Sequence, residues 1–231
     1  MTNEAGIFKS DTFRFFRELA RNNQKSWMDA NRERYRASVT APFRALLERL
    51  APAARKLDRT FEITGRTGEN FSRINRDIRF AADKSPYRPH MYLFFRDRQA
   101  IEHGGGQLYV GVSAENVTAG FRIYFEGRDS ALARHAVPRA KENRAWLARQ
   151  KRRLEKKYES YWYSSERKDW KKHTGWPVEP SEWKGVKGWI VRREFSPKAA
   201  LEKGFVAEVA KIFREVYPLY EFANSASWRA R

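Results

Sequence analysis

One part of the sequence brings together the residue types that bind anions. We call it the central segment (residues 73–90); arginines, aspartates and a lysine alternate there with apolar side chains. If residues 73–80 are a strand, alternation places Arg73, Asp77 and Arg79 on one face. Two guanidinium groups beside one carboxylate favour a phosphate or carboxylate ligand, because guanidinium donates paired hydrogen bonds to such oxygens. The expected ligand contacts are the basic residues Arg73, Arg76, Arg79, Lys84 and Arg88.

The same segment contains three side chains that could transfer protons: Asp77, Asp83 and His90. An enzyme acting on a phosphorylated or nucleotide substrate would hold these groups within hydrogen-bonding reach in one pocket. Their oxygen and nitrogen atoms could also ligate a metal ion. Alternatively, the charged residues form a structural network that ties a strand to neighbouring helices. The sequence leaves these alternatives open and does not decide whether the protein is an enzyme.

The common catalytic and cofactor-binding motifs are absent from the sequence. The four histidines show neither the H-x-x-x-H nor the H-E-x-x-H spacing of zinc hydrolases. The glycines at residues 104–106 precede a predicted strand and lack the Lys-Ser or Lys-Thr of a phosphate-binding loop. The chain has no cysteine, which excludes disulfides and thiolate catalysis. The sequence therefore predicts no metal centre of these kinds and assigns no cofactor.

Net charge suggests a second type of partner. The 231 residues include 47 Lys and Arg against 28 Asp and Glu, a formal net charge of +19. The richest basic stretch, residues 139–172, is also rich in aromatic residues. Cations contact phosphates and rings stack on bases, so sequence-tolerant nucleic-acid binding is the alternative, provided that these residues share one exposed face. Otherwise the stretch is a solvated helix with core aromatics. The expected contacts are Arg149, Lys151, Arg152, Arg153, Lys156, Lys157, Tyr161, Trp162 and Trp170.

Helical spacing dominates the first third of the chain. Asp11 is the expected N-cap of a helix that places Phe13 and Phe16 on one face. A second helix is expected over residues 25–37. Pro42 lies in the first turn of a third helix, where its missing N–H costs little. These helices are expected to flank the elements that carry the central segment.

Alternating side chains predict strands in the middle of the chain. The predicted strands are residues 73–80, 91–96, 108–112 and 119–125, the last two as a hairpin. Beyond them we expect helix over residues 130–158, an irregular Trp-rich stretch over 160–185, a strand over Val186–Phe195, and a closing helix that ends near Tyr217 and Pro218. This order predicts an α+β fold, with a curved antiparallel sheet flanked by N-terminal and C-terminal helices.

The composition is that of a globular chain, with 15% aromatic residues. No apolar run approaches the roughly 18 residues that cross a bilayer, and the N-terminal sequence does not resemble a secretory signal. We find no linker, repeat or low-complexity tract. We therefore expect a cytoplasmic protein with one domain over residues 1–231 and no membrane partner. The sequence assigns no oligomeric state.

Two motifs resemble those of a known family. The first is FFREL followed by NNQKSW, in residues 15–27, and the second is RINRDIRF through DKSPYRPH in the central segment. They are similar to the opening and central signatures of a conserved bacterial and fungal family, domain of unknown function 2461. The predicted strand at residues 108–112, the region around Gly120 and the helix over residues 209–222 also lie where that family would place them. The resemblance thus covers about residues 8–224.

The resemblance implies a single domain and adds weight to the central segment as the site. It brings no established activity with it. The chain departs from the family in residues 146–189, which are more basic and richer in tryptophan. A function tied to that stretch is therefore not implied by the resemblance.

Overall fold

Apolar residues at helical spacing build one layer of the fold. A computed structural model of the protein describes residues 6–124, 130–166 and 169–230. The helices are α1 (Ser10–Arg21), α2 (Lys25–Ala30), α3 (Arg32–Tyr35), α4 (Ala41–Leu57), α5 (Arg98–Glu102), α6 (Val137–Glu142), α7 (Arg144–Leu154), α8 (Pro180–Trp183), α9 (Pro197–Ala200) and α10 (Phe205–Asn224). Two π-helical turns, Arg36–Thr40 and Leu132–Ala136, run directly into α4 and α6. Within the described ranges, none of the helices combines the length and apolarity needed to cross a membrane.

The strands form one antiparallel six-stranded sheet with the order β1-β2-β3-β6-β4-β5. They are β1 (His90–Phe95), β2 (Gln107–Ser113), β3 (Val117–Tyr124), β4 (Glu159–Glu166), β5 (Asp169–Thr174) and β6 (Val186–Phe195). The α+β class with flanking helices is confirmed, as are the β2–β3 hairpin and the strand β6. Phe125, which ended the predicted hairpin, lies outside the described residues.

One face of the sheet, the inner face, packs against α10. Leu93 of β1, Phe121 of β3 and Val191 of β6 lie on this face and are completely buried. The ring of Phe95 on β1 lies 5.6 Å from that of Phe213 on α10. Burial of each such side chain stabilises the fold by about 1.5–3 kcal/mol. The sheet is therefore held from one side by the closing helix.

The opposite face, the outer face, carries tyrosines and cations. Residues that pair directly share a face, so Tyr92 lies beside Gly111, and Tyr124 beside Gly188. A Cβ on Gly111 would come within 2.4 Å of the Tyr92 ring, and one on Gly188 within 2.8 Å of the Tyr124 ring. Because both glycines lack a side chain, the two rings can lie directly against the neighbouring strands.

The helices expected over residues 25–37 and 130–158 are interrupted at Asn31 and Asn143. Three other regions also differ from the expectation. Residues 73–80 are not a strand; in the described structure they form one isolated pair, Asn75 with Tyr87. The segment around Tyr87 cannot extend this pairing, because Pro86 and Pro89 lack the N–H groups that strand pairing needs. The stretch expected to be irregular contains β4, β5 and α8. Its strands carry aromatic and polar residues on both faces, which hides the alternation. The closing helix, α10, does not end near Pro218 but continues to Asn224.

Arg34 ties the N-terminal helices together. From α3 it donates to Asp11 of α1 (Nε to Oδ2, 3.0 Å) and to Glu18 of α1 (2.5 Å). The Ser38 hydroxyl also donates to Asp11, at 2.7 Å. The Arg34 hydrogen bonds hold the pKa of Asp11 well below its ordinary value, although burial opposes them. Asp11 is thus not the expected N-cap; α1 begins one residue earlier, and Asp11 binds a neighbouring helix instead.

The two edge strands of the sheet differ in what lies beside them. The Phe94 N–H of β1 donates to the Asn70 carbonyl at 2.7 Å, and the buried Asn70 amide donates to the Phe94 carbonyl at 3.0 Å. Residues 70–72 thus cover part of the β1 edge. At the other edge, β5 pairs with β4 in the described chain and carries Lys171 and Lys172.

Candidate anion-binding site

The central segment folds back on itself beside β1. The Arg76 N–H donates to the Pro86 carbonyl, and the Arg88 N–H donates to the Ile74 carbonyl, both at 2.8 Å. These bonds hold the two arms of the loop together at its base. At the tip, the ring of Phe80 is 95% exposed. The loop therefore carries its charged residues away from the core.

Asn23, between α1 and α2, anchors this loop to the helical layer. Its Nδ2 donates to the Tyr87 carbonyl at 2.9 Å, and the Tyr87 N–H donates to its Oδ1 at 3.0 Å. The amide thus pairs with the loop as a peptide group of a neighbouring strand would. Since Tyr87 is buried, this contact fixes the returning arm of the loop against the body of the protein.

Four of the five expected basic contacts line one depression of about 490 Å³. They are Arg73, Arg76, Arg79 and Arg88, and Asp77 lines it with them. Four arginines and one aspartate give this lining a formal charge of 4 − 1 = +3. The fifth residue, Lys84, does not line the depression; its Nζ donates to the carbonyl of Ile78 at 3.1 Å.

Two of these arginines are paired with carboxylates inside the loop. Arg79 donates to Asp77 through Nε at 3.0 Å and Nη2 at 2.7 Å, which lowers the pKa of Asp77. Arg76 is ion-paired with Asp83. Hydrogen bonds from the hydroxyl and N–H of Ser85, and then from Arg76, lower the pKa of Asp83. Both carboxylates therefore stay ionised and serve to orient the loop.

The other two arginines, Arg73 and Arg88, have no carboxylate partner in the part of the chain that the structure describes. The Arg73 side chain is exposed, and Arg88 donates through Nη1 to the Arg73 carbonyl at 3.1 Å. These two guanidinium groups thus keep donors available in the same depression. An anion from solution is the ligand that would satisfy them.

His90 lies between the loop and the outer face of the sheet. Its ring lies 5.2 Å from that of Tyr92, the next outward residue of β1. Burial lowers the pKa of His90, and the positive charges of Arg88, Arg122 and Arg76 lower it further. The lowered pKa favours the neutral imidazole of His90, which lies near cations from two different elements.

The three candidate acid–base residues are not joined to one another. Asp77 and Asp83 are engaged by different arginines, and among the described residues no hydrogen bond or ion pair links either carboxylate to His90. Nor do the described His, Asp and Glu side chains form a group of three that could hold a metal ion. The arrangement supports anion binding better than proton transfer.

The basic members of the alternative nucleic-acid set lie on the helical side of the fold. The helix α7 packs on α10, where Trp146 stacks on Phe222 with ring centres 4.8 Å apart. Arg153 donates to the Glu215 carbonyl at 2.7 Å, and Lys157 lies 4.0 Å from the Glu215 carboxylate. The residues on α7 or just after it are Arg149, Lys151, Arg152, Arg153, Lys156 and Lys157.

The aromatic members lie on the sheet, on both of its faces. Trp162 is on the inner face, stacked on His173 at 4.0 Å, while Tyr161 and Trp170 are on the outer face. The expectation that the basic and aromatic residues share one exposed face is therefore wrong, because α7 and β4 belong to different layers. Arg167 and Lys168 of the same basic stretch lie outside the described residues.

Two residues that matter to the site were not predicted from the sequence. Asn23 reads as a helix-ending residue, and nothing local reveals its pairing with a residue 64 positions away. Arg122 reads as an outward residue of the β2–β3 hairpin. That alternation is a signal for the outer face, but it does not reveal that β1 brings His90 beside it.

A protein-family model matches nearly the whole chain. It is described as conserved hypothetical protein (DUF2461), and the match covers residues 11–222. Both motifs lie within this match, which confirms the resemblance seen in the sequence. The comparison with curated proteins gave no match.

Proposed function

Since the chain belongs to the DUF2461 family of conserved hypothetical proteins, we propose a function from its own residues: it binds a phosphate- or carboxylate-bearing ligand. The ligand occupies the depression lined by Arg73, Arg76, Arg79 and Arg88. One observation carries the proposal: two of these arginines, Arg73 and Arg88, have no carboxylate partner among the described residues. The paired arginines orient the loop, and the unpaired ones supply donors.

The charge balance of the depression favours an anion over a neutral ligand. Its lining has a formal charge of +3, and the same arginines lower the pKa of the nearby His90. Hydrogen bonds from guanidinium to phosphate or carboxylate oxygens are charge-assisted, and a pair of oxygens on either group matches two donors of the planar guanidinium. The depression is open, so a ligand enters without rearrangement of the core.

Calorimetric titration with tripolyphosphate and with citrate tests the proposal. We expect both anions to bind, and Arg73→Gln and Arg88→Gln each to weaken the tighter one by about tenfold, the loss of one charge-assisted bond. Arg214→Gln, an exposed arginine on α10, removes the same charge elsewhere and is the matched control. Absence of binding, or equal weakening by all three variants, would overturn the proposal.

A further inference from the structure

The outer face of the sheet carries a row of aromatic rings that are at least partly exposed. We call Tyr92, Tyr124, Tyr163 and Trp170 the aromatic row; they lie on β1, β3, β4 and β5, so the row crosses the sheet from edge to edge. Ring centres of Tyr124 and Tyr163 are 6.4 Å apart, and those of Tyr163 and Trp170 are 6.3 Å apart. The Arg122 guanidinium connects the first two members, 4.2 Å from the Tyr92 ring and 5.9 Å from the Tyr124 ring.

The sheet itself positions these rings. Tyr92 lies over Gly111, where any side chain would displace it. The buried Tyr109 ring lies 4.8 Å from the Arg122 guanidinium and 6.0 Å from the Tyr92 ring. Rings held in this way by β-strands lose little conformational freedom when a ligand stacks on them.

Cations lie beside the aromatic row, and they differ in whether a carboxylate neutralises them. Arg192 is engaged by Glu159 and Glu194, each at 3.0 Å. By contrast, Arg122 and Lys172 have no carboxylate partner among the residues described, and each lies over aromatic rings instead. The outer face therefore offers stacking surfaces together with cations that internal acids do not neutralise.

The aromatic row begins beside the proposed anion site. Tyr92 is two residues from His90, whose ring it contacts, and His90 is in turn two residues from Arg88. The charges of Arg88 on the loop and Arg122 on the sheet both act on His90. The depression and the row are thus parts of one continuous surface.

We infer that this surface binds single-stranded nucleic acid, with backbone phosphate in the depression and unpaired bases on the aromatic row. The inference rests on the proposed function, because the depression supplies the phosphate contact. Aromatic rings stack on any base while cations follow the backbone, so binding tolerates sequence. A duplex hides its base faces and binds less tightly. The α7 cations take no part, since they lie in the other layer.

Fluorescence anisotropy with labelled oligouridylate and oligothymidylate of about twelve nucleotides tests the inference. Tyr163→Leu and Trp170→Leu are each expected to weaken binding by about tenfold and to leave tripolyphosphate affinity unchanged. Trp170→Phe keeps a ring and is expected to retain most of the affinity. Phosphate contacts from Arg73, Arg88 and Lys172 predict about 20-fold weaker binding on raising salt from about 50 to about 200 mM.

Two results would overturn the inference. The first is oligonucleotide affinity that survives both leucine variants, with thermal unfolding midpoints that show the variants folded. The second is loss of affinity in Lys151→Gln/Arg152→Gln, a double variant on α7 that is the matched control. Failure of the proposed function is a separate outcome: tripolyphosphate would then fail to bind the unmodified protein.

Discussion

The side-chain amide of Asn23 forms two hydrogen bonds with the main chain of Tyr87, at 2.9 and 3.0 Å. Asn23 belongs to the first of the two family motifs and Tyr87 to the second, 64 residues later. Because the amide matches the donor and acceptor of a peptide group, one helical-layer residue fixes the loop arm that leads to Arg88 and His90. The two motifs therefore form a single structural unit around the candidate anion site.

Substitution of Asn23 by alanine is expected to affect both stability and binding. The Tyr87 peptide is buried and would lose both partners, so Asn23→Ala should lower the free energy of unfolding by about 1–3 kcal/mol. The loosened arm should also weaken tripolyphosphate binding. Urea denaturation and calorimetry measure the two effects. Asn22→Ala is the control, because the Asn22 side-chain amide donates locally, to the Glu18 carbonyl of α1; equal effects of the two variants would refute this role of Asn23.

The lowered pKa of His90 predicts how the free energy of unfolding depends on pH. Its pKa lies below the ordinary 6.5 because of burial and then the charges of Arg88, Arg122 and Arg76. As pH falls below about 6.5, the unfolded chain takes up the proton first, so stability should decrease until the lowered folded pKa is reached. The free energy of unfolding, measured by urea denaturation at several pH values between 7 and 5, should therefore fall less steeply with decreasing pH in His90→Gln than in the unmodified protein. His135, whose pKa is also lowered, contributes equally to both proteins and cancels in the difference.

An anion in the depression should raise the pKa of His90. It would offset the positive charges of Arg88 and Arg76, which disfavour the imidazolium. Nuclear magnetic resonance titration of the imidazole protons, with and without tripolyphosphate, measures this shift. A His90 pKa that does not respond to the saturating anion would place the ligand away from these arginines.

Arg34 predicts how acid affects the N-terminal helices. Arg34→Met should lower the free energy of unfolding by about 1.5–3 kcal/mol, because Asp11 and Glu18 lose charge-assisted hydrogen bonds. Asp11 has a lowered pKa, so its stabilising effect is complete above about pH 4 and is lost as pH falls further. Arg14→Met is the control: Arg14 pairs with the same Asp11 but its side chain is 65% exposed, so we expect a loss below about 1 kcal/mol. Chemical denaturation at pH 7 and 3 decides between these outcomes.

Gly111 predicts a local packing effect on the aromatic row. Gly111→Ala should destabilise the protein by about 1–3 kcal/mol, because the new methyl group would meet the Tyr92 ring at 2.4 Å. Gly204→Ala is the control, since a Cβ placed there would have no described atom within 4 Å and the backbone is helical. Gly204→Ala should be neutral or stabilising by up to about 1 kcal/mol. Thermal unfolding compares the two, and equal loss would mean that Tyr92 is not held against Gly111.

Burial of alternate residues explains which strands the sequence could predict. The β2–β3 hairpin has one face in the core, so apolar residues recur there at every second position and its limits were predicted closely. β4 and β5 carry aromatic and polar residues on both faces, so the two faces show no such contrast. Residues 73–80 alternate equally well, yet within the described structure they form the isolated pair Asn75–Tyr87 and no strand. Local pattern does not reveal pairing.

The candidate site also has one part that the sequence predicted and one part that it did not. The sequence placed Arg73, Arg76, Arg79 and Arg88 together because they are neighbours along the chain, and they do line one depression. Arg122 reaches the site only through the pairing of β1, β2 and β3. Such contacts between distant parts of the chain follow from the tertiary fold, which residue spacing alone does not specify.

The two edges of the sheet bear on how copies of this protein meet in solution. An exposed strand edge is a template on which a second chain can add a strand and start a polymer. Residues 70–72 occupy part of that template on β1, and Lys171 and Lys172 place like charges along β5. With a net charge of +19, two approaching molecules also repel. Both ends of the sheet thus carry features that oppose the addition of a strand from a second copy.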